Sequence, residues 1–291
     1  MTTNDRFRYS YNSLAYVGED LAESVDRVAR LGYDAIEIVG EPSRIDPKRV
    51  LKLARDAGIT VSSICSIYTP ERDLIHPDPQ ARASAVQYVK DLSDFAATME
   101  CPTVVVHPTA NMKIAALAEP QDEWNWAVES IREAGEYALE HGVSFSLEAW
   151  NRFESYFLNR LEQARALWRA TGLTNGGVQG DTFHMNIEEA SIAEAFRSSA
   201  GVLQHVHLAD SDRTAPGGAM INFEPIIDAL VEIEYDKYIS FELLPAAANP
   251  FAGGRHEEFF DQYTERAIRT IKAVEELVRV RRTLAGKGSI R

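Results

Sequence analysis

The sequence predicts an α/β protein, specifically a (β/α)8 barrel, and three observations carry that expectation. Short apolar or β-branched runs alternate with amphipathic helical segments, the rhythm that builds a parallel sheet. Eight such units favour closure of the sheet into a barrel, and 291 residues suit a barrel of roughly 250 with short terminal additions. Neither an early dinucleotide glycine fingerprint nor a glycine-rich phosphate loop is present to argue for an open doubly wound sheet. The expected organisation is one barrel domain over residues 1–291, ending on a long helix.

The elements follow in order. Residues 7–12 form a first strand, weakened by its arginines. GEDLAESVDRVARL at 18–31 repeats Leu21, Val25 and Val28 at helical spacing, and Gly32 closes it. AIEIV at 35–39 reads as a strand, followed by a helix near 47–57. ITVSSICSI at 59–67 is rich in β-branched residues. Pro77 and Pro79 punctuate the loop before a helix over 81–97. TVVVH after Pro102 suits a strand covered on its outer face by helices, and a helix near 123–140 stops at His141-Gly142. The second half repeats the unit. VSFSLE precedes a helix near 158–170, GVQGD one near 187–199, VLQHVHL one near 223–233, and YISFELL the terminal helix near 256–282. Gly176-Gly177 and Gly217-Gly218 read as turns.

Composition excludes several classes. A net charge of −14 argues against a nucleic-acid or anionic-membrane surface. No apolar stretch is long enough to span a membrane, and the opening MTTNDRFRYSYNS lacks the parts of a signal peptide. The expected location is the cytoplasm. Cys65 and Cys101 both lie in or beside apolar runs and read as reduced, buried thiols.

The last four strands each end on a residue able to bind a divalent metal: Glu148, Asp181, His207 and Glu242. They fall about one strand–helix unit apart, and active groups in this architecture lie at the carboxyl ends of strands. Any one of these carboxylates could equally be an ordinary strand-end hydrogen-bonding group. Their recurrence at four successive strand ends points to a metal site of three carboxylates and one imidazole, suited to Mn²⁺ or Mg²⁺, with zinc less favoured. A divalent ion also offsets the cost of turning several acidic groups inward. His205 shares a strand face with His207, Val206 pointing the other way, and is at least as readily a structural residue as a ligand. Glu37 and His107 follow apolar runs too, where structural roles are at least as apt. Trp150 and Phe153 either line a site or pack at the rim.

The neighbours of these residues make a resemblance specific. ExxNRFE at 148–154, DTFHMN at 181–186, HVHLxxxxR at 205–213 and FELL at 241–244 resemble the xylose-isomerase-like metal-dependent barrels, and most closely their ketose 3-epimerase branch. The resemblance implies that Glu148, Asp181, His207 and Glu242 hold Mn²⁺, Co²⁺ or Mg²⁺, with no organic cofactor. It implies that Glu148 and Glu242 transfer protons on opposite faces of C3 through a cis-enediolate, and that Glu154, His184 and Arg213 bind substrate oxygens. A small sugar is the implied partner, with no nucleic acid or membrane, and a homo-oligomer is allowed. Two loops depart from the best-known epimerases: ADSDRTAPGGAMINFEP after His207, and PAAANPFAGG after Glu242. The same enediolate chemistry serves aldose–ketose or hydroxypyruvate-type isomerisation, and a related barrel cleaves oxidised C-glycosides by elimination. A barrel that binds sugar or metal without turnover is a further alternative, disfavoured by the presence of both glutamates. Abasic-site DNA repair fits poorly, since it needs a richer histidine site and a DNA-compatible surface.

Overall fold

In the computed structural model, which describes residues 6–244 and 258–288, eight parallel strands close into a barrel in sequence order. They are β1 (Arg8–Asn12), β2 (Ala35–Gly40), β3 (Thr60–Ser66), β4 (Thr103–Val106), β5 (Ser144–Glu148), β6 (Gly176–Asp181), β7 (Leu203–Leu208) and β8 (Tyr238–Phe241). Closure comes from β1 against β8, in a register running from Arg8 opposite Tyr238 to Tyr11 opposite Phe241. The arginines of the first strand are accommodated at its start. Arg8 donates to the Asp236 carbonyl at 2.7 Å and lies over the Tyr238 ring.

Helices α1 (Leu21–Arg30), α2 (Pro47–Asp56), α3 (Pro79–Thr98), α4 (Pro120–Glu140), α5 (Leu161–Thr171), α6 (Thr182–Glu188), α7 (Ile192–Arg197), α8 (Phe223–Glu232) and α9 (Glu258–Gly288) surround the sheet. Helices α2 and α3 start alike, on an aspartate cap followed by proline at the first helical position, where the missing N–H costs nothing. Pro79 therefore opens α3 and does not belong to the loop before it. Among the described residues no helix is long and apolar enough to cross a membrane, and Cys65 and Cys101 are buried free thiols.

Two local expectations are corrected. The helix expected over 187–199 is two short ones: α6 begins directly after Asp181, whose side chain accepts the Phe183 N–H, and α7 restarts at a Ser191 cap. Gly176-Gly177 is no turn, because both residues begin β6. Their smallness is required by neighbouring backbone. A Cβ on Gly177 would lie 1.9 Å from the Val202 carbonyl oxygen, and Gly176 has φ +147° with a Cβ position 2.0 Å from the Phe145 oxygen.

The outer face of β1 and β8 packs beneath the surrounding helices. Tyr9, Tyr11, Tyr33 and Phe241 interlock as stacked or edge-on rings, and buried Glu275 of α9 accepts the Phe7 N–H and the Tyr9 hydroxyl. The interior nearer the carboxyl ends is polar instead. Ser10, Glu37, Ser63, Ser146, Gln179, His205 and Ser240 are all buried there on strands. Ser10, Ser63, His205 and Glu37 form one hydrogen-bonded chain that runs through Ser62, whereas Ser146 Oγ, Gln179 Oε1 and Ser240 Oγ are buried without a partner among the described residues.

Candidate metal centre

Strand register assembles the site. Glu148 closes β5 opposite Gln179, and Asp181 closes β6 opposite His207 of β7. β8 ends at Phe241, so Glu242 stands just beyond it. One ligand atom from each of Glu148, Asp181, His207 and Glu242 lies within 4.8 Å of every other, and all four residues are buried. His207 Nδ1 is 3.2 Å from Glu242 Oε2 and 3.7 Å from Glu148 Oε1.

Each carboxylate is held by further groups. Trp150 Nε1 donates to Glu148 Oε2 at 2.8 Å, leaving Glu148 Oε1 buried without a hydrogen-bond partner. Asn12 Nδ2 donates to Glu242 Oε1 at 3.1 Å, and the Cys65 thiol faces the same oxygen at 3.4 Å. Asp181 uses one oxygen to cap α6. Arg213 bridges the other, at 2.5 Å, to Glu242 Oε2. Its guanidinium also covers the Phe183 ring at 4.6 Å.

Arg213 reaches this position through an unusual backbone. Its φ of +63° is left-handed, a conformation costing a residue with a side chain on the order of 1 kcal/mol or more. The loop pays through Asp210, whose buried carboxylate accepts N–H groups from Ser211, Gly217, Gly218, Ala219 and Ile221. The Arg213 carbonyl in turn receives the Leu244 N–H, which ties the β7–α8 loop to the segment carrying Glu242.

His184 stands beside Asp181, Nε2 to Oδ2 at 3.7 Å. Its Nδ1 faces two donors, the Asn151 N–H and the Asn151 side-chain amide, at 3.2 and 2.8 Å. That arrangement places the ring proton on Nε2, toward the cluster. Glu154 is farther out, held by Asn151 Nδ2 at 2.9 Å and 3.8 Å from His184. Of the aromatic candidates, Trp150 is buried while Phe153 is 65% exposed and does not line the cluster. His107 stacks on Trp150 at 3.7 Å and is not among the four.

The charges are strongly perturbed. Burial raises Asp181 to about 7, with Glu242 and Glu148 adding to the rise and Arg213 and His207 opposing it. Burial works against ionised Glu242 too, but Arg213 and His207 outweigh it and hold that carboxyl well below its ordinary range. Burial also disfavours charge on His207; Glu37, Glu242 and Glu148 overcome it and push the imidazole well above its usual value. His184 is driven the other way, mainly by burial with Arg213 adding, and stays neutral.

These residues fit a divalent ion. Three carboxylates and an imidazole converge, Arg213 is the one fixed cation described between them, and Glu148 Oε1 presents an unsatisfied buried oxygen. A hard oxygen-rich set with one nitrogen matches Mn²⁺, Mg²⁺ or Co²⁺ better than thiophilic metals. Glu37, for which the sequence made a structural role at least as apt as a functional one, bonds His207 from across the barrel at 2.9 Å. Its signal was a carboxylate inside the apolar run AIEIV.

Residues 25–276 match the family model described as xylose isomerase-like TIM barrel. The chain is 31% identical over 224 residues to D-psicose 3-epimerase of Ruminiclostridium cellulolyticum, covering 75% of this chain and 76% of that protein. It is also 31% identical over 225 residues to L-ribulose 3-epimerase of Mesorhizobium japonicum, covering 77% and 75%. A solved L-ribulose 3-epimerase structure superposes with a TM-score of 0.86 at 26% identity, over 96% of this chain and 98% of that one. The chain belongs to the xylose isomerase-like TIM-barrel family, within its ketose 3-epimerase branch.

Proposed function

We propose that this chain is a divalent-metal-dependent ketose 3-epimerase, inverting C3 of a free ketose with Glu148 and Glu242 as the two proton carriers. The observation that carries this reading is the convergence of both glutamates with Asp181 and His207 at the strand ends. Glu148, Asp181, His207 and Glu242 would hold the ion, with Mn²⁺ favoured over Mg²⁺ and Co²⁺. Such an ion would supply Lewis-acid polarisation of the substrate carbonyl and offset the negative charge that grows when a proton leaves C3.

The chain's own groups account for the rest. Glu148 would serve the ion and the proton through different oxygens: Oε1, without a hydrogen-bond partner, would face the ion, and Oε2, oriented by Trp150 Nε1, would carry the proton. Glu242 is held by Asn12 and Arg213, so proton exchange at its carboxylate requires these bonds to adjust as substrate binds. One glutamate removes the C3 proton from one face, and the other returns a proton to the opposite face. Both must serve because inversion needs delivery from the side that abstraction did not use. The Nε2–H of His184 and the Arg213 guanidinium are placed to bind substrate oxygens that gain charge, and Glu154 accepts from a sugar hydroxyl. Two buried free thiols support a reducing compartment, and we place the reaction in the cytoplasm.

A panel of ketoses with Mn²⁺ in heavy water tests this, read by carbon-resolved spectroscopy. Deuterium at C3 with inverted configuration is expected. Deuterium at C1 or C2 with an aldose product would replace epimerisation by isomerisation. Release of an aglycone from an oxidised glycoside would select elimination.

A further inference from the structure

Glu37 lies within β2, opposite Asn12 of β1 and Ser63 of β3, and is fully buried. A carboxylate in the interior of a barrel is costly unless paired and hydrogen-bonded. Its partner comes from the far side: Oε1 and Oε2 lie 3.0 and 2.9 Å from His207 Nε2 on β7. His205 is a lesser neighbour, its Nε2 3.5 Å from Glu37 Oε2 and 3.1 Å from the Ser63 hydroxyl.

The two nitrogens of His207 therefore have separate surroundings. Nε2 faces Glu37, while Nδ1 faces Glu242, Glu148 and the Gln179 side-chain amide at 3.1 Å. A metal ion takes a neutral imidazole, which has one N–H and one lone pair. An ionised carboxylate only accepts, so the N–H belongs on Nε2. In that neutral ring the Nδ1 lone pair faces the Gln179 side-chain amide and the Glu148 and Glu242 carboxylates. The opposite tautomer would set a lone pair against Glu37 and leave that buried carboxylate without its donor.

We propose that Glu37 is a positioning residue that fixes His207 in the Nε2–H tautomer, so that its Nδ1 lone pair faces Glu148, Asp181 and Glu242 and enters the metal centre as a ligand. The proposal rests on the metal-centre reading above and goes beyond it, since Glu37 belongs to none of the four ligand positions. Metal-bound histidines commonly donate their second ring N–H to a carboxylate, which orients the ring and makes the ligating nitrogen more basic. Glu37, His205 and His207 could instead be read as three ligands of a second ion, because they too lie within 4.8 Å of one another. That reading would require His207 to give up its bond to Glu37 and bridge two ions through both nitrogens. The hydrogen bond between Ser63 and His205 would be lost as well.

The test uses the full-length chain with Glu37→Leu, Glu37→Gln and, as a control at His205 alone, Ser63→Ala. Calorimetric titration with Mn²⁺ should give one ion per wild-type chain. Glu37→Leu should weaken the affinity about 10- to 100-fold. Glu37→Gln, whose amide oxygen still accepts from Nε2, should weaken it less, and Ser63→Ala should leave it unchanged. Nitrogen spectra of ¹⁵N-histidine-labelled, Mg²⁺-loaded protein should show His207 protonated at Nε2 in wild type and Glu37→Gln but not uniquely so in Glu37→Leu. Circular dichroism keeps the comparison to folded variants; were Glu37→Leu unfolded, Glu37→Gln with an altered tautomer would itself overturn the idea. Unchanged affinity in folded Glu37→Leu, or reduced affinity with an unchanged tautomer, would also overturn it. Two ions per wild-type chain would make Glu37 a ligand. One ion bound normally by every variant would refute only the positioning role, whereas no ion bound by wild type would sink the metal centre with it.

Discussion

Replacing Arg213 by methionine removes a buried cation while keeping much of the side-chain reach. The guanidinium joins Asp181 to Glu242, and its side chain is only 12% exposed. Breaking one side of a buried ion pair costs about 3–5 kcal/mol, because the remaining charge keeps its desolvation penalty. The lower end applies here. Asp181 already sits at about 7 and can shed part of that penalty by taking up a proton near neutral pH. About 3 kcal/mol in a protein of this size corresponds to roughly 6 °C in the unfolding midpoint. The metal-free variant should therefore melt about 6 °C below metal-free wild type. Saturating Mn²⁺ should recover most of the difference, since the ion supplies positive charge to the same carboxylates. Sugar turnover should not recover. Loss of a charge-assisted donor to a substrate oxygen is worth about 2–3 kcal/mol, so kcat/KM should fall roughly 30- to 160-fold. Thermal scans with and without Mn²⁺, followed by kinetics on metal-loaded protein, read both effects. An unchanged metal-free midpoint would refute the electrostatic argument, and unchanged kinetics would refute the role in sugar binding. Loss of Mn²⁺ affinity with the fold preserved would show that Arg213 supports the metal residues instead.

Three further outcomes are expected. Glu148→Gln and Glu242→Gln, compared at equal measured Mn²⁺ occupancy, should each lower solvent exchange at C3 and epimerisation by roughly 10²-fold or more; near-wild-type exchange in either would remove that residue from the proton-transfer pair. Metal binding should release protons, because Asp181 at about 7 and His207 with its raised value carry them when no ion is bound. Affinity should accordingly fall as pH drops through 7, and titrations in buffers of different ionisation heat would show no net release if the argument is wrong. Gly177→Ala should cost about 3 kcal/mol or more, because its Cβ would meet the backbone oxygen of Val202, which pairs with Val178 N–H at 2.8 Å; a wild-type melting midpoint would contradict that packing.

The strand–helix alternation was legible because each unit carries its own pattern: Leu21, Val25 and Val28 mark one face of α1, and Thr103–Val106 is a buried run. The strand-end residues were legible for the same local reason, since a polar residue closing an apolar run stands out whatever lies across the barrel. For Glu37 a structural role was at least as apt as a functional one, because its bond to His207 joins β2 to β7 and nothing in AIEIV announces which strand it faces. Gly176 and Gly177 looked like a turn because two adjacent glycines usually make one; the requirement here comes from the Phe145 and Val202 carbonyls on neighbouring strands. The division between α6 and α7 was hidden by the double duty of Asp181, expected to bind metal and found also to cap a helix. The unusual loop PAAANPFAGG after Glu242 lies outside the described residues.

Diffraction from Mn²⁺-soaked crystals, recorded at the manganese absorption edge, tests the central claim most directly. The account predicts one anomalous peak enclosed by the side chains of Glu148, Asp181, His207 and Glu242, with His207 approaching through Nδ1. A reproducible sole peak remote from at least three of those side chains would contradict it.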